Sequence, residues 1–196
     1  MPNQNPAPNP DAFLRERLAN ADMAWRLSIL FSPREVQATL RSIFVFYLEL
    51  EDIFFRSTDA DLQTSRLAWW RHELEAAADG RASHPVTLSA TLPEVNQQMK
   101  AALDLQKTGG CLFNAVQAAS GCEINTIVND CGQRWFRLRC NRLRGKQEDK
   151  VASDDKANGL VRPLAVLVDN TQRYRLNAAG FGPLFSAWRA ARRSEA

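Results

Sequence analysis

Metal-ligating and nucleophilic side chains are scarce in this sequence. It has two histidines, His72 and His84, and four cysteines, at 111, 122, 131 and 140, none of them in a C-x-x-C pair. Zinc sites draw on close cysteine or histidine pairs, because neighbouring ligands must converge on one ion at about 2 Å. No zinc site is therefore expected, and the cysteines read as free buried thiols of a reducing cytosol. G-x-G-x-x-G, P-loop, nucleophile-elbow and H-E-x-x-H motifs are all missing, and His72-Glu73 lacks the second histidine of the last. Serine hydrolase or protease chemistry has no starting point. Neither sign of charge dominates: 25 basic and 22 acidic side chains leave +3, too near balance to point to nucleic acid. A long apolar run is also lacking. SIFVFYLELEDIFF contains Glu49, Glu51 and Asp52 and falls short of the ~20 clean residues that a membrane span needs. The opening MPNQNPAPNP has no basic or apolar segment, so it is not expected to be a signal peptide; residues 1–10 read as a disordered leader.

What is present is enough apolar material, 45% of 196 residues, for one domain with a real core over 11–196. Asp11 is placed to cap a helix running to about Phe31. Ser32 as N-cap and Pro33 at the first position start a second, to about Phe55. Along it Val36, Leu40, Ile43, Phe44, Tyr47 and Leu48 recur at three-to-four spacing over a wide arc, which predicts a central, buried helix. A third helix is expected over about 59–78, ending at Asp79-Gly80. Others are expected near 93–106, 109–120, 123–144, 156–178 and 183–193, with Gly109-Gly110, Gly121 and Gly180 as breaks. The polar run 146–156 reads as a solvated loop. With no alternating strand and no repeat, the fold class is all-α.

The stretch Trp25–Val86 is more specific. A buried helix carries Phe44 and Phe46 and ends in Glu49, Glu51 and Asp52. Arg66-Leu67-Ala68-Trp69-Trp70-Arg71-His72-Glu73-Leu74 follows, and then His84-Pro85-Val86. This resembles the N-terminal half of the squalene/phytoene synthase family, in which a buried helix ending in an aspartate-rich motif precedes a tryptophan-rich helix and a His-Pro. GGCLFNAVQAASG and CGQRWFRLRCNRLRG resemble the family's late helices more loosely. The segment between His84 and Gly109 is short for the family. The resemblance thus implies an isoprenoid-synthase-like helical bundle, truncated.

Such enzymes hold Mg²⁺ between two acidic clusters on facing helices, and the metal neutralises a departing diphosphate. A D-D-x-x-D pattern serves because its first and fifth residues share a helix face. The corresponding residues here are Glu51-Asp52-Ile53-Phe54-Phe55, with an aromatic in place of the third acid. The late helix has Cys140 after Arg139 in the likely aspartate place, and Glu148 and Asp149 fall beyond Gly145. The resemblance makes Glu51 and Asp52 the metal residues and Tyr47, Arg71 and Arg139 substrate-binding, with no catalytic residue assigned. No cofactor is expected, unless the relic acidic site is functional and takes Mg²⁺.

The expected function is that of a synthase-like protein without prenyl-transfer activity, a binding or assembly factor; the family includes a non-catalytic respiratory complex I assembly factor. Two alternatives stand: a Mg-dependent transferase condensing farnesyl or geranylgeranyl diphosphate, and an isoprenoid- or lipid-binding module. The partners implied are an isoprenoid diphosphate or lipid, a protein, and the inner face of a membrane touched peripherally from the cytoplasm; nucleic acid is not among them. Plainer readings stand beside these. Glu51 and Asp52 fit a helix end facing solvent or an arginine, and Arg71 and Glu73 fit surface or intramolecular ion pairs. One of Trp69 and Trp70 belongs to the core, since adjacent helical residues point about 100° apart. His84 fits a cap or a packed turn. Arg134, Arg137, Arg139, Arg142 and Arg144 fit a solvated basic helix end, as do Arg189, Arg192 and Arg193.

Overall fold

In the computed structural model, which describes residues 9–145, 160–173 and 181–193, Asn9 caps the first helix and Pro10 takes its first position, where a missing N–H costs nothing. The helix therefore uses the last residue of the expected leader; residues 1–8 lie outside the described ones. Helix α1 (Pro10–Ala19) buries Leu14 and Leu18. The single helix expected to Phe31 is in fact two, because the Asp22 side chain accepts from the Ala24 N–H at 3.1 Å and starts α2 (Met23–Leu30) anew. Ser32 is not a cap. Its hydroxyl donates back to the Ser28 carbonyl at 2.6 Å, and Pro33 stays extended before a 3-10 turn, Arg34–Val36.

Helix α3 (Gln37–Glu51) is the central element, with Leu40, Ile43, Phe44, Tyr47 and Leu50 all at most 1% exposed. It runs into one π-helical turn, Asp52–Arg56, closed by Ser57 N–H to the Asp52 carbonyl at 3.2 Å. The third helix, α4 (Ala60–Ala78), keeps its expected bounds. Asp59 accepts from the Asp61 and Leu62 N–H groups, and Gly80 at φ +72° turns the chain so that Arg81 N–H reaches the Ala76 carbonyl at 2.7 Å. Helices α5 (Pro85–Ser89), α6 (Pro93–Ala101), α7 (Thr108–Ala119), α8 (Thr126–Leu143), α9 (Arg162–Arg173) and α10 (Phe181–Arg193) follow. No strand occurs among the described residues, so the all-α class stands. The expected loop at 146–156 and the break at Gly180 lie outside them.

Gly109 and Gly110 are not a break. They form the first turn of α7 and are buried, because α7 meets α8 there at very short range. A Cβ on Gly132 would stand 2.8 Å from Phe113 Cγ and 2.9 Å from the Gly109 carbonyl carbon, closer than any real methyl group tolerates. The low helix propensity of glycine is here outweighed by close packing. Helices α1, α3 and α5 pack on one side of the bundle, α6, α7 and α8 on another, and α2, α9 and α10 on a third. One large core runs through α1–α8 into α9, and a smaller one joins Leu27 of α2 to Val166, Ala187, Ala190 and Ala191. No described helix is long and apolar enough to cross a membrane.

Candidate functional site

The carboxylates at the end of α3 all face arginines. Glu51, one helical turn beyond Tyr47, is buried and is gripped side-on by Arg139 of α8: Nε donates to Oε1, and Nη2 donates to Oε2 at 3.0 Å. The remaining arm of the guanidinium, Nη1, donates to Asp22 Oδ2 at 2.7 Å. Arg139 thus ties α3 and the α2 cap to α8. Its guanidinium carbon lies 4.9 Å from the Trp25 ring centre and 5.9 Å from that of Trp135, close enough for cation–π attraction in a dry setting. Burial pushes the Glu51 carboxyl up and Arg139 pulls it down, leaving it above the usual range. The guanidinium loses hydration as well, but the charges of Glu51 and Asp22 raise its proton affinity. Burial, and then the Glu51 charge, push the Tyr47 phenol well up and the Cys140 thiol to about 12.

Around this clamp the indole N–H groups of Trp25 and Trp135 and the Tyr47 hydroxyl are buried without a well-formed hydrogen bond. The reading of 134–144 as a solvated basic helix end holds for Arg134 and Arg137, which are exposed, but not for Arg139, which is 3% exposed. Arg142 donates to the Thr171 carbonyl, and Arg144 lies over the Phe55 ring at 5.2 Å.

Asp52 and Glu49 are engaged in the same way. Arg17 of α1 donates to both, through Nη2 to Asp52 Oδ2 and through Nε to Glu49 Oε1 at 2.8 Å. Arg56 takes the other Asp52 oxygen at 3.1 Å, and Arg66 the other Glu49 oxygen at 3.4 Å. Every oxygen of Glu49, Glu51 and Asp52 therefore looks at a guanidinium. The π turn that begins at Asp52 interrupts the α-helical ladder, and the place of the third acid is held by Phe55, which has no oxygen to offer a metal. Phe55 packs instead near Phe136, with ring centres 6.2 Å apart. As arranged, these residues do not fit Mg²⁺, which needs carboxylate oxygens free to point at one ion. Among the described residues no group of three or more His, Cys, Asp and Glu side chains could hold a metal.

The tryptophan-rich helix forms a second polar centre. Glu73 is not on the surface but 4% exposed. It accepts from the Ser83 N–H at 2.8 Å, the Ser83 hydroxyl at 2.7 Å, the His84 N–H at 2.8 Å and the Thr87 hydroxyl at 2.5 Å. Burial opposes the charge, but these donors outweigh it and hold the carboxyl at about 2. His84 caps α5 through Nδ1, which accepts from the Val86 N–H at 3.2 Å, and its ring meets Phe13, Trp69 and Trp70 edge-on. Trp70 is core and Trp69 is 46% exposed.

Of the residues the resemblance selects, Tyr47, Glu51 and Arg139 meet in the interior, Asp52 lies at its edge, and Arg71 is exposed on α4. Asp22, Trp25 and Trp135 complete the clamp and were not among the expected site residues. Asp22 carried a signal, an acid directly ahead of an apolar run; the two tryptophans carried none beyond their apolar character. The thiols divide likewise: Cys111 and Cys140 are buried, whereas Cys122 is exposed, against expectation. No family model, curated protein or solved structure matches this chain.

Proposed function

We propose that this chain is a squalene/phytoene synthase-like bundle whose acidic site has become a structural clamp, and that it acts as a binding or assembly factor without prenyl-transfer activity. The observation that carries this reading is the pairing of every oxygen of Glu49, Glu51 and Asp52 with an arginine. Ionising an allylic diphosphate calls for cations held at the leaving group. Here the acids that would hold a metal are spent on Arg17, Arg56, Arg66 and Arg139, and Arg139 itself already faces two carboxylates.

The filled interior supports the same reading. Trp25, Phe44, Tyr47, Phe113, Trp135 and Phe136 lie ring against ring. The void beside Tyr47, between α3, α6 and α7, amounts to about 10 Å³, room for a single water at most and not for an isoprenoid chain. Open space lies at the surface, in a groove of about 850 Å³ between the end of α4, α5 and α6, lined by Leu74, Thr87, Leu88, Leu92, Asn96 and Lys100. That is the size range of a ligand or peptide cleft.

The test is incubation of the full chain with farnesyl or geranylgeranyl diphosphate and Mg²⁺, with products read by mass spectrometry. No condensation product is expected, and millimolar Mg²⁺ should leave the melting temperature unchanged, since a ligand stabilises only what it binds. Formation of squalene, phytoene or their cyclopropyl diphosphate intermediates overturns the proposal.

A further inference from the structure

Helix α10 buries its small side chains and exposes its large ones. Ser186, Ala187, Ala190 and Ala191 pack inward, Ala187, Ala190 and Ala191 against Leu27 and Val166, whereas Leu184, Phe185 and Trp188 are 38%, 58% and 43% exposed. Phe185, Trp188, Arg189 and Arg192 follow at i, i+3, i+4 and i+7 and so form one outer stripe. The two rings stack at 5.6 Å. Arg189 lies over Phe185 at 5.5 Å and Arg192 over Trp188 at 5.1 Å. Between Phe181 and Arg193 the sequence has three arginines and no acid. Leaving two large aromatic rings in water forfeits the free energy their burial would bring, and nothing in the α2–α9–α10 packing recovers it.

We propose that this stripe docks the protein onto an anionic lipid surface, with α10 lying in the plane of the interface. Aromatic rings settle at headgroup depth, and the guanidiniums beside them meet lipid phosphates. At 13 residues the helix is too short to span a bilayer but long enough to lie on one. Charge decides between a bilayer and a second copy of the chain. A two-fold contact through the stripe would bring its arginines together with no carboxylate on the stripe to meet them. Asp169 of α9, an acid packed against α10, pairs with Arg173 at 2.8 Å and accepts from Ser186 on the inner side of α10. Helix α2, which packs on α10, exposes a further basic and apolar pair, Arg26 and Leu30. The inference rests on α10 and its surroundings and is independent of the reading of the acidic site.

Sedimentation of the full chain with phosphatidylcholine vesicles, with and without phosphatidylglycerol, tests it. The protein should pellet with the anionic vesicles only, and less as salt is raised. Arg189→Gln with Arg192→Gln should lower partitioning by roughly 30-fold. Phe185→Ser with Trp188→Ser should lower it by about tenfold or more. All four positions are exposed, so the melting temperatures should stay close to wild type. Trp188→Phe, which keeps a ring, should retain binding while losing most of the lipid-induced blue shift in emission. Equal pelleting with neutral vesicles, no pelleting, or pelleting indifferent to both double variants overturns the proposal. A dimer in sedimentation velocity that Phe185→Ser/Trp188→Ser abolishes, without vesicle binding, assigns the stripe to a second copy instead.

Discussion

Replacing Arg139 by methionine keeps most of the side-chain volume and removes the charge that Glu51 and Asp22 share. The three side chains are 4%, 7% and 8% exposed, so water cannot reach in to compensate. Removing one partner of a buried ion pair typically costs about 3–5 kcal/mol, because the other charge is left behind. Here two are left, and the attraction of Trp25 adds about 1 kcal/mol. Against a total stability of roughly 5–15 kcal/mol for a domain, Arg139→Met should be close to unfolding at room temperature. The informative partner is Glu51→Leu. A buried pair is worth little compared with well-packed apolar groups, so adding Glu51→Leu to Arg139→Met should restore on the order of 2 kcal/mol even though Asp22 remains. Urea unfolding followed by circular dichroism on the four proteins gives the coupling directly. A cost below about 1 kcal/mol for Arg139→Met, or strict additivity of the two changes, refutes the clamp. So does stabilisation of the wild type by Mg²⁺ that disappears in Glu51→Leu.

The Glu73 carboxyl should make the fold sensitive to acid. Held at about 2 instead of the ordinary 4.5, it contributes stability that is complete above 4.5 and fades as the pH falls from there towards 2. At ~1.4 kcal/mol for each tenfold change in proton affinity the contribution is at most about 3 kcal/mol. Melting curves should show Glu73→Gln destabilised at neutral pH, with the gap to wild type narrowing through that window; a constant gap is the contrary result. Gly132→Ala should destabilise by about 2 kcal/mol or more through the clash with Gly109 and Phe113, although alanine is the better helix former by about 1 kcal/mol. A neutral or stabilising outcome in urea unfolding would mean that α7 and α8 are farther apart than described.

Helix identity was legible wherever local chemistry decided it. Asp59 and Gly80 mark the two ends of α4 because a cap and a left-handed turn are settled within a few residues. The continuous apolar arc of α3 announced its central position. The break at Asn20–Asp22 was hidden because the residues on both sides favour helix equally, and only the Asp22 side chain chooses. Gly109-Gly110 looked like a break because the partner that requires glycine, Gly132, is remote in sequence. The site followed the same rule. Glu51 and Arg139 were both singled out from the sequence, but that they answer each other across 88 positions is a tertiary fact. The same holds for Glu73, whose donors come from the following turn and α5. The π turn itself is not written in Asp52–Arg56.

The reach of Arg139 has a kinetic consequence. Its partners lie 88 and 117 positions earlier in the chain, whereas α7 and α8 meet across a short connection. Closing long loops is the slow, entropically costly part of folding, so the α7–α8 hairpin can form while the guanidinium is still hydrated and Glu51 is still in water. Contacts made after the barrier slow escape from the native state and leave the rate of arrival almost untouched. On that account the clamp governs how long a folded molecule survives, and its loss should appear in the unfolding limb of a chevron, with the refolding limb nearly unmoved.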